Sequence, residues 1–325
     1  MLNLFFVIIG IILLTFSAER FIESAAVIAK KHQISPVVIG LIIVGFGTSL
    51  PELVVSIVAT LHGNLGLPIG NAIGSNITNI ALVIGLTAII KPISVHSNIL
   101  KRELPLMLFA LGIVYLLILN GQITRLNGVF MAGAMAGIIG IFYYFAQQPS
   151  LVNDAYIVEI DQEETKIAQK MGLRAATAWL LFGLIMLPIS SEILVKGAVG
   201  LAVHFGVSEV IIGLTVVAFG TSLPELAASI ISVIKNEPDI AVGNIIGSNL
   251  FNLLAVLGVP AIIQPLPVKS VVLARDYPVM LGLSLLFFLM CFGKPSRQIK
   301  RWHGIVLFIL YMLYIASLCF DTAIK

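Results

Sequence analysis

Apolar positions in this chain do not alternate with polar ones. They run on for about twenty residues at a time between short polar breaks, the length an α-helix needs to cross a bilayer. Helices are the element to expect there, because lipid offers the backbone no hydrogen-bond partner. The pattern predicts ten spans, over residues 2–29, 35–61, 68–90, 103–120, 126–146, 174–203, 208–234, 241–263, 277–293 and 303–320. Between the fifth and sixth, Gln147 to Lys170 holds five acids and two lysines without an apolar face, which predicts a flexible hydrophilic linker. The expected fold is an all-α polytopic membrane protein.

The two sides of that linker repeat each other at a constant offset of 173 residues. Ile39–Asn79 and Ile212–Asn252 share 21 identities in 41 positions without a gap. The same register pairs Glu19 with Glu192, Pro92 with Pro265, Arg102 with Arg275 and Pro105 with Pro278. This divides the chain into a five-helix repeat at 1–146, a linker at 147–173 and a second repeat at 174–325. Five is odd, so the second copy enters the membrane from the opposite side. That is the inverted repeat of secondary transporters, whose sites lie near the midplane on discontinuous helices.

Two blocks recur within these halves. Gly47-Thr48-Ser49-Leu50-Pro51-Glu52 returns as Gly220-Thr221-Ser222-Leu223-Pro224-Glu225. Each proline removes a backbone donor and clashes with the carbonyl four residues back, at Gly47 or Gly220, so each span is expected to break there. The freed carbonyl has to be buried in protein or line a wet cavity. The second block, Gly70-Asn71-x-x-Gly74-Ser75-Asn76-x-x-Asn79, returns as Gly243-Asn244-x-x-Gly247-Ser248-Asn249-x-x-Asn252. On a helix its Asn71, Ser75 and Asn79 share one face, beside a glycine stripe that lets helices approach closely.

Composition narrows the classes. The chain is 59% hydrophobic and 11% charged, with a mean hydropathy of +1.07, which excludes a soluble domain. A net charge of +3 spread over loops gives no nucleic-acid signal. No secretory cleavage site follows the first apolar run, which reads as a retained span. With the N-terminus outside, thirteen Lys and Arg fall in inner loops and four in outer ones. The positive-inside rule then puts both termini in the periplasm and the linker in the cytoplasm. Cys291 and Cys319 lie near opposite ends of the last two spans and are expected to be free thiols. The five histidines (His32, His62, His96, His204, His303) read as solvated loop residues.

The candidate chemistry is that of a hard cation. Calcium takes 6–8 oxygens at about 2.3–2.6 Å. Glu52 and Glu225 supply charge, and Thr48, Ser49, Thr221 and Ser222 supply hydroxyls or carbonyls. Ser75, Asn79, Ser248 and Asn252 complete a shell without a soft ligand, which argues against zinc or copper. Ser, Thr and Asn in spans also serve as plain interhelical hydrogen-bond partners, and that reading covers Ser75 or Asn76 taken singly. Asn71, Asn76, Asn244 and Asn249 read as braces for the breaks. Two glutamates at one depth on two broken helices are another matter, since acids inside the membrane mark functional sites. Glu192 with Lys196 and Arg20 with Glu23 read as neutralising pairs along one helix, and Arg102-Glu103 and Arg275-Asp276 as interfacial pairs. Glu19 is a secondary candidate for handling protons.

These doubled blocks on a five-plus-five repeat resemble the calcium/cation antiporter superfamily, and within it a bacterial member of the sodium/calcium exchanger family. The resemblance implies antiport of Ca²⁺ against Na⁺, or against H⁺, by alternating access and without a cofactor. It implies that the short first span of each half slides across a core of the other eight. It also implies a central Ca²⁺ site of Glu52 and Glu225 with the Thr48 and Thr221 carbonyls. Flanking sodium sites are implied at Ser49, Ser75, Asn79 and the Gly45 carbonyl in one half. In the other half they fall at Ser222, Ser248, Asn252 and the Ala218 carbonyl. One departure stands out: family members carry an aspartate at one of the positions held here by Asn79 and Asn252. Two rivals are a cation channel on the same oxygen ring and an intramembrane hydrolase using Ser49 or Ser222. The second lacks a His or Lys partner at span depth.

Overall fold

Helices account for nearly all of the chain in the computed structural model, which describes residues 2–32, 34–95, 102–147, 171–205, 218–292 and 298–323. In chain order they are α1 Leu2–Lys31, α2 Pro36–Leu61, α3 Leu67–Ile90, α4 Leu104–Ile118 and α5 Arg125–Gln147. Then come α6 Leu173–His204, α7 at 218–234, α8 Pro238–Ile263, α9 Val272–Cys291 and α10 Arg301–Ala323. Eight of these contain stretches long and apolar enough to cross a membrane; α4 and Leu223–Ile234 of α7 are shorter apolar helices. The chain is a multi-pass membrane protein. The expected ranges agree with these helices to within a few residues, while the expectations for 148–170 and 208–217 lie outside the described residues.

The most enclosed helices, α8 and α3, carry the Asn-containing blocks, and α2 is next. Around them α1, α5, α6 and α10 turn large apolar side chains outward, among them Phe5, Ile8, Phe130, Ile185 and Leu313. A polar interior inside an apolar exterior is what lipid selects. Small residues set how near the inner helices come, since lipid tails provide no hydrophobic drive between them. At Gly45 on α2, a Cβ would lie 2.8 Å from the Asn244 carbonyl oxygen and the Ser248 nitrogen of α8. Backbone meets backbone there, and no side chain fits between.

The first helices of the two halves pack against each other in antiparallel fashion. Gly10 of α1 meets Leu194 of α6, and Gly183 of α6 meets Phe21 of α1. Both glycines and both partners correspond at the 173-residue offset, so the contact is made twice. At 30 and 32 residues they match the apolar runs at 2–29 and 174–203 and are the longest helices among the described residues; only the resemblance implied short ones. Each carries a charged pair in its second half, Arg20 and Glu23 on α1 and Glu192 and Lys196 on α6.

Two small ribbons tie the loops together. Strand β1 (Ile93–Ser94) pairs antiparallel with β4 (Gln298–Ile299), and β2 (Gln122–Ile123) pairs with β3 (Leu266–Pro267). Neither cysteine forms a disulfide. His96 lies outside the described residues, and among the other histidines one departs from the solvated reading: His303 is buried in the first turn of α10, where its Nδ1 accepts from the Lys300 backbone N–H at 3.1 Å. It caps a helix start, and that satisfies a donor the helix leaves unpaired.

Candidate cation site

The chain direction changes at Ser49 in α2, between Phe46–Thr48 and Leu50–Leu61 (φ −93°, ψ 4°). It changes in the same way at Ser222 in α7, between Ala218–Thr221 and Leu223–Ile234 (φ −91°, ψ 7°). Pro51 and Pro224 then fall in the first turn of a new helical piece, where a missing N–H does no harm. Glu52 and Glu225 follow in that same turn, and both are 1% exposed. Ser49, three residues before Glu52, reaches the Glu225 carboxylate, so the two breaks lie side by side.

Each break is braced by an asparagine of the following helix. Asn71 Nδ2 donates to the Glu52 carbonyl at 3.1 Å and to Ser56 Oγ at 3.0 Å. Asn244 Nδ2 donates to the Glu225 carbonyl at 3.2 Å and to Ser229 Oγ at 2.9 Å. The Gly220 carbonyl freed by Pro224 accepts from Ser191 Oγ of α6 at 2.6 Å. Ser191 escaped the sequence reading, although a serine pair within an apolar run was its signal. At the corresponding place in the first half stands Ala18, which has no hydroxyl to offer.

Several contacts run between the halves rather than within them. Ser49 Oγ donates to Glu225 Oε1 at 2.9 Å, and Ser248 Oγ donates to the Gly45 carbonyl at 3.0 Å. Thr48 Oγ1 lies 3.3 Å from Asn244 Oδ1. Asn79 Nδ2 donates to Asn249 Oδ1 at 3.2 Å. Of the other expected ligands, Ser75, Ser222 and Asn252 are buried and Thr221 is half-buried. Ala218 is the first described residue of α7. Asn79 and Asn252 each open a π-helical segment, Asn79–Ile84 and Asn252–Val256. Such segments are frequent at functional sites, and nothing in the sequence pattern announced them.

What remains unpaired is mostly oxygen. Both carboxylate oxygens of Glu52, Glu225 Oε2, Ser222 Oγ, Asn79 Oδ1 and both polar atoms of Asn252 are buried without a protein hydrogen-bond partner. Neither glutamate has a Lys or Arg partner among the described residues. Buried polar groups in native proteins are satisfied, and a buried carboxylate is neutralised or paired. Unpaired hard oxygens around two carboxylates have the chemistry of a cation site with oxygen ligands.

Among the described residues, several charges elsewhere pair within the protein. Arg20 bonds Glu23 at 3.2 Å and Lys196 bonds Glu192 at 2.6 Å. The sequence reading missed a longer-range pairing in which Lys235, just beyond α7, bonds both Glu19 and Glu23 of α1. That contact supplies Glu19 with a cation. Arg102 pairs with Glu103, and Arg275 with Asp276, which also accepts from the Tyr314 hydroxyl at 3.0 Å.

Known proteins share this sequence and fold. The family profile described as "Sodium/calcium exchanger protein" matches residues 2–144 and 175–320. CaxA of Alkalimonas amylolytica is 45% identical over 95% of this chain and 96% of its own. The sodium/calcium exchanger MaX1 of Methanosarcina acetivorans is 31% identical over 97% of this chain and 98% of its own. A solved structure of the sodium-calcium exchanger NCX_Mj, soaked with Na⁺ and Ca²⁺, superposes with a TM-score of 0.81 at 32% identity, covering 98% of this chain and 99% of that one. The chain therefore belongs to the sodium/calcium exchanger family, and it is a membrane transporter rather than an enzyme.

Proposed function

We propose that this transporter exchanges Ca²⁺ for Na⁺ by alternating access, with no cofactor beyond the ions it carries. The observation that carries the reading is the pair Glu52 and Glu225, buried without a protein cation at corresponding breaks in α2 and α7. Ca²⁺ would sit between these carboxylates and the Thr48 and Thr221 carbonyls. Monovalent ions would use Ser49, Ser75, Asn79 and Gly45, and Ser222, Ser248, Asn252 and Ala218. Because Ser49 bonds Glu225 and Ser248 bonds Gly45, each such ion would draw on both halves. The likeness to an exchanger soaked with Na⁺ and Ca²⁺ supports those two ions as cargo. Unpartnered carboxylates can also carry protons, which favours Ca²⁺/H⁺ exchange as the second reading.

The architecture proposed with it is two inverted five-helix repeats, 1–146 and 174–325, joined by a cytoplasmic linker at 147–173. The ribbons support this. Loops joined by one ribbon share a membrane face, so an even number of helices must separate them. Among the described residues, six helices lie between β1 and β4, and four between β2 and β3. Strands β1 and β3 hold corresponding registers, yet five helices separate them and they belong to different ribbons, as inversion requires. With the charge count, both termini face the periplasm across the inner membrane.

The test is ⁴⁵Ca²⁺ counterflow in proteoliposomes with Na⁺ and pH gradients imposed separately. Uptake driven by an opposing Na⁺ gradient is the expected result; uptake driven only by the pH gradient selects the second reading. Ca²⁺ flux that runs without any counter-ion gradient, insensitive to Na⁺ and H⁺ on the far side, would show a channel instead.

A further inference from the structure

The two ends of the helix bundle are tied unequally. Just beyond α7, Lys235 Nζ donates to Glu19 at 2.5 Å and to Glu23 at 2.7 Å, both on α1. The next residue, Asn236, accepts from Lys91 Nζ, at the end of α3, at 2.6 Å. The turn at 235–237 thus joins α1 to α3. At the 173-residue offset Lys235, Asn236 and Lys91 correspond to His62, Gly63 and Gln264, and His62 lies by the other end of α3. There the ties are missing. His62 Nδ1 bonds the Val58 carbonyl of its own helix at 2.8 Å, and Gly63 has no side chain to offer. Glu192, the counterpart of Glu19, pairs with Lys196 of its own helix. Packing is unequal in the same sense. Gly243 and Gly247, near the Lys235 end of α8, are buried, and a Cβ on either would run into the Val37 or Leu41 carbonyl oxygen of α2. Their counterparts near the His62 end of α3 are more open: Gly70 is exposed, and Asn71 and Gly74 are partly so.

We infer that Lys235 is a positioning residue for transport: its bonds to Glu19 and Glu23 hold α1 in the access state seen here and have to part for the site to open toward the 235–237 turn. The inference rests on the reading of an antiporter built as an inverted repeat. Helices α1 and α6 form one unit, since Gly10 meets Leu194, Gly183 meets Phe21 and Gly197 meets Asn3. Inverted repeats change access by moving one bundle against the other around the site, so in the second state each half takes the arrangement now held by the other. The 235–237 turn then stands to α1 as the 62–66 turn now stands to α6, where no such bond is made among the described residues. Parting leaves no charge stranded. Glu23, with 12% of its side chain exposed, keeps Arg20 as a partner, and Lys235, at 29%, is within reach of water.

The test uses the full chain in proteoliposomes, with Cys291 and Cys319 replaced by Ala. Lys235→Cys and Glu23→Cys are joined by a bifunctional methanethiosulfonate that spans the former ion pair and that dithiothreitol removes. ⁴⁵Ca²⁺ counterflow should stop when the pair is joined and return on reduction, while either substitution alone, treated alike, keeps its rate. Lys235→Met is read by hydrogen–deuterium exchange. Uptake over 36–45 and 241–248 should quicken about two- to fivefold, the range of a partly exposed ion pair, while uptake over 67–75 slows. Lys235→Arg should keep the wild-type pattern. A contact that only stabilises the fold would quicken uptake in all three segments. Full counterflow with the pair joined, or uptake in Lys235→Met that rises everywhere or nowhere, would overturn the role of Lys235 and leave antiport standing. Absence of counterflow in the wild type would instead overturn antiport, and the deuterium pattern then decides Lys235 alone.

Discussion

Replacing Glu52 by Gln removes one of the two cage charges with little change in shape, and it should move two measurements in opposite directions. With Ca²⁺ bound, the carboxylate is the partner of a buried cation, and deleting one member of such a pair costs about 3–5 kcal/mol. At about 1.4 kcal/mol per tenfold, Ca²⁺ affinity should fall by roughly two to four orders of magnitude. Without Ca²⁺ the sign reverses. Both Glu52 oxygens are then buried and unpartnered, and an unsatisfied amide, at about 1–3 kcal/mol, is less unfavourable than an unpaired charge. Thermal unfolding in detergent reads both effects. In Ca²⁺-free buffer E52Q should unfold at a higher temperature than wild type. As Ca²⁺ is added the wild type should overtake it, since ligand at about 100 times Kd contributes about 2.7 kcal/mol. Proteoliposomes containing E52Q should show no Ca²⁺ exchange. A variant that keeps both the wild-type Ca²⁺-dependent shift and full ⁴⁵Ca²⁺ uptake would refute the reasoning.

The other predictions follow from single contacts. Ser49→Ala deletes the 2.9 Å bond to Glu225 and should weaken Ca²⁺ binding by roughly one to two orders of magnitude, as hydrogen bonds to charged groups are worth about 1.5–3 kcal/mol. Ser222→Ala breaks no protein hydrogen bond, so its unfolding midpoint in Ca²⁺-free buffer should match wild type, and a drop as large as that of Ser49→Ala would contradict the geometry. Asn244→Ala leaves the Glu225 carbonyl and Ser229 without their donor and should destabilise by about 1–3 kcal/mol, read by thermal unfolding. Gly45→Ala forces a methyl against the α8 backbone, which cannot yield as a side chain would. It should destabilise by about 1–3 kcal/mol and impair exchange, and a fully active, equally stable variant would argue against the close approach of α2 and α8.

Much of this was legible in the sequence because the signals were local. Ten apolar runs gave the helices, and Pro51 and Pro224 gave the breaks, since the effect of a proline reaches only four residues back. The two glutamates stood out because charge inside an apolar run has few innocent explanations. The braces at Asn71 and Asn244 were also foreseen. Contacts fixed by how helices cross were not. Aligning the repeats invites grouping Gly45 with Ser75, whereas the interleaved halves put Ser248 on the Gly45 carbonyl. Helical spacing found Arg20 with Glu23 but could not see Lys235, which reaches Glu19 and Glu23 from far along the chain. His303 looked like a loop residue because its helix begins two residues before it, at Arg301.

The twin braces make the protein its own control experiment. Asn71 and Asn244 form matching bonds to matching partners, yet the first is partly exposed and the second fully buried. Substituting each in turn changes the same chemistry in two surroundings within one molecule. The difference between the two losses of stability reads what enclosure, together with the Thr48 contact to Asn244 Oδ1, adds to the brace, a comparison that otherwise requires two unrelated proteins.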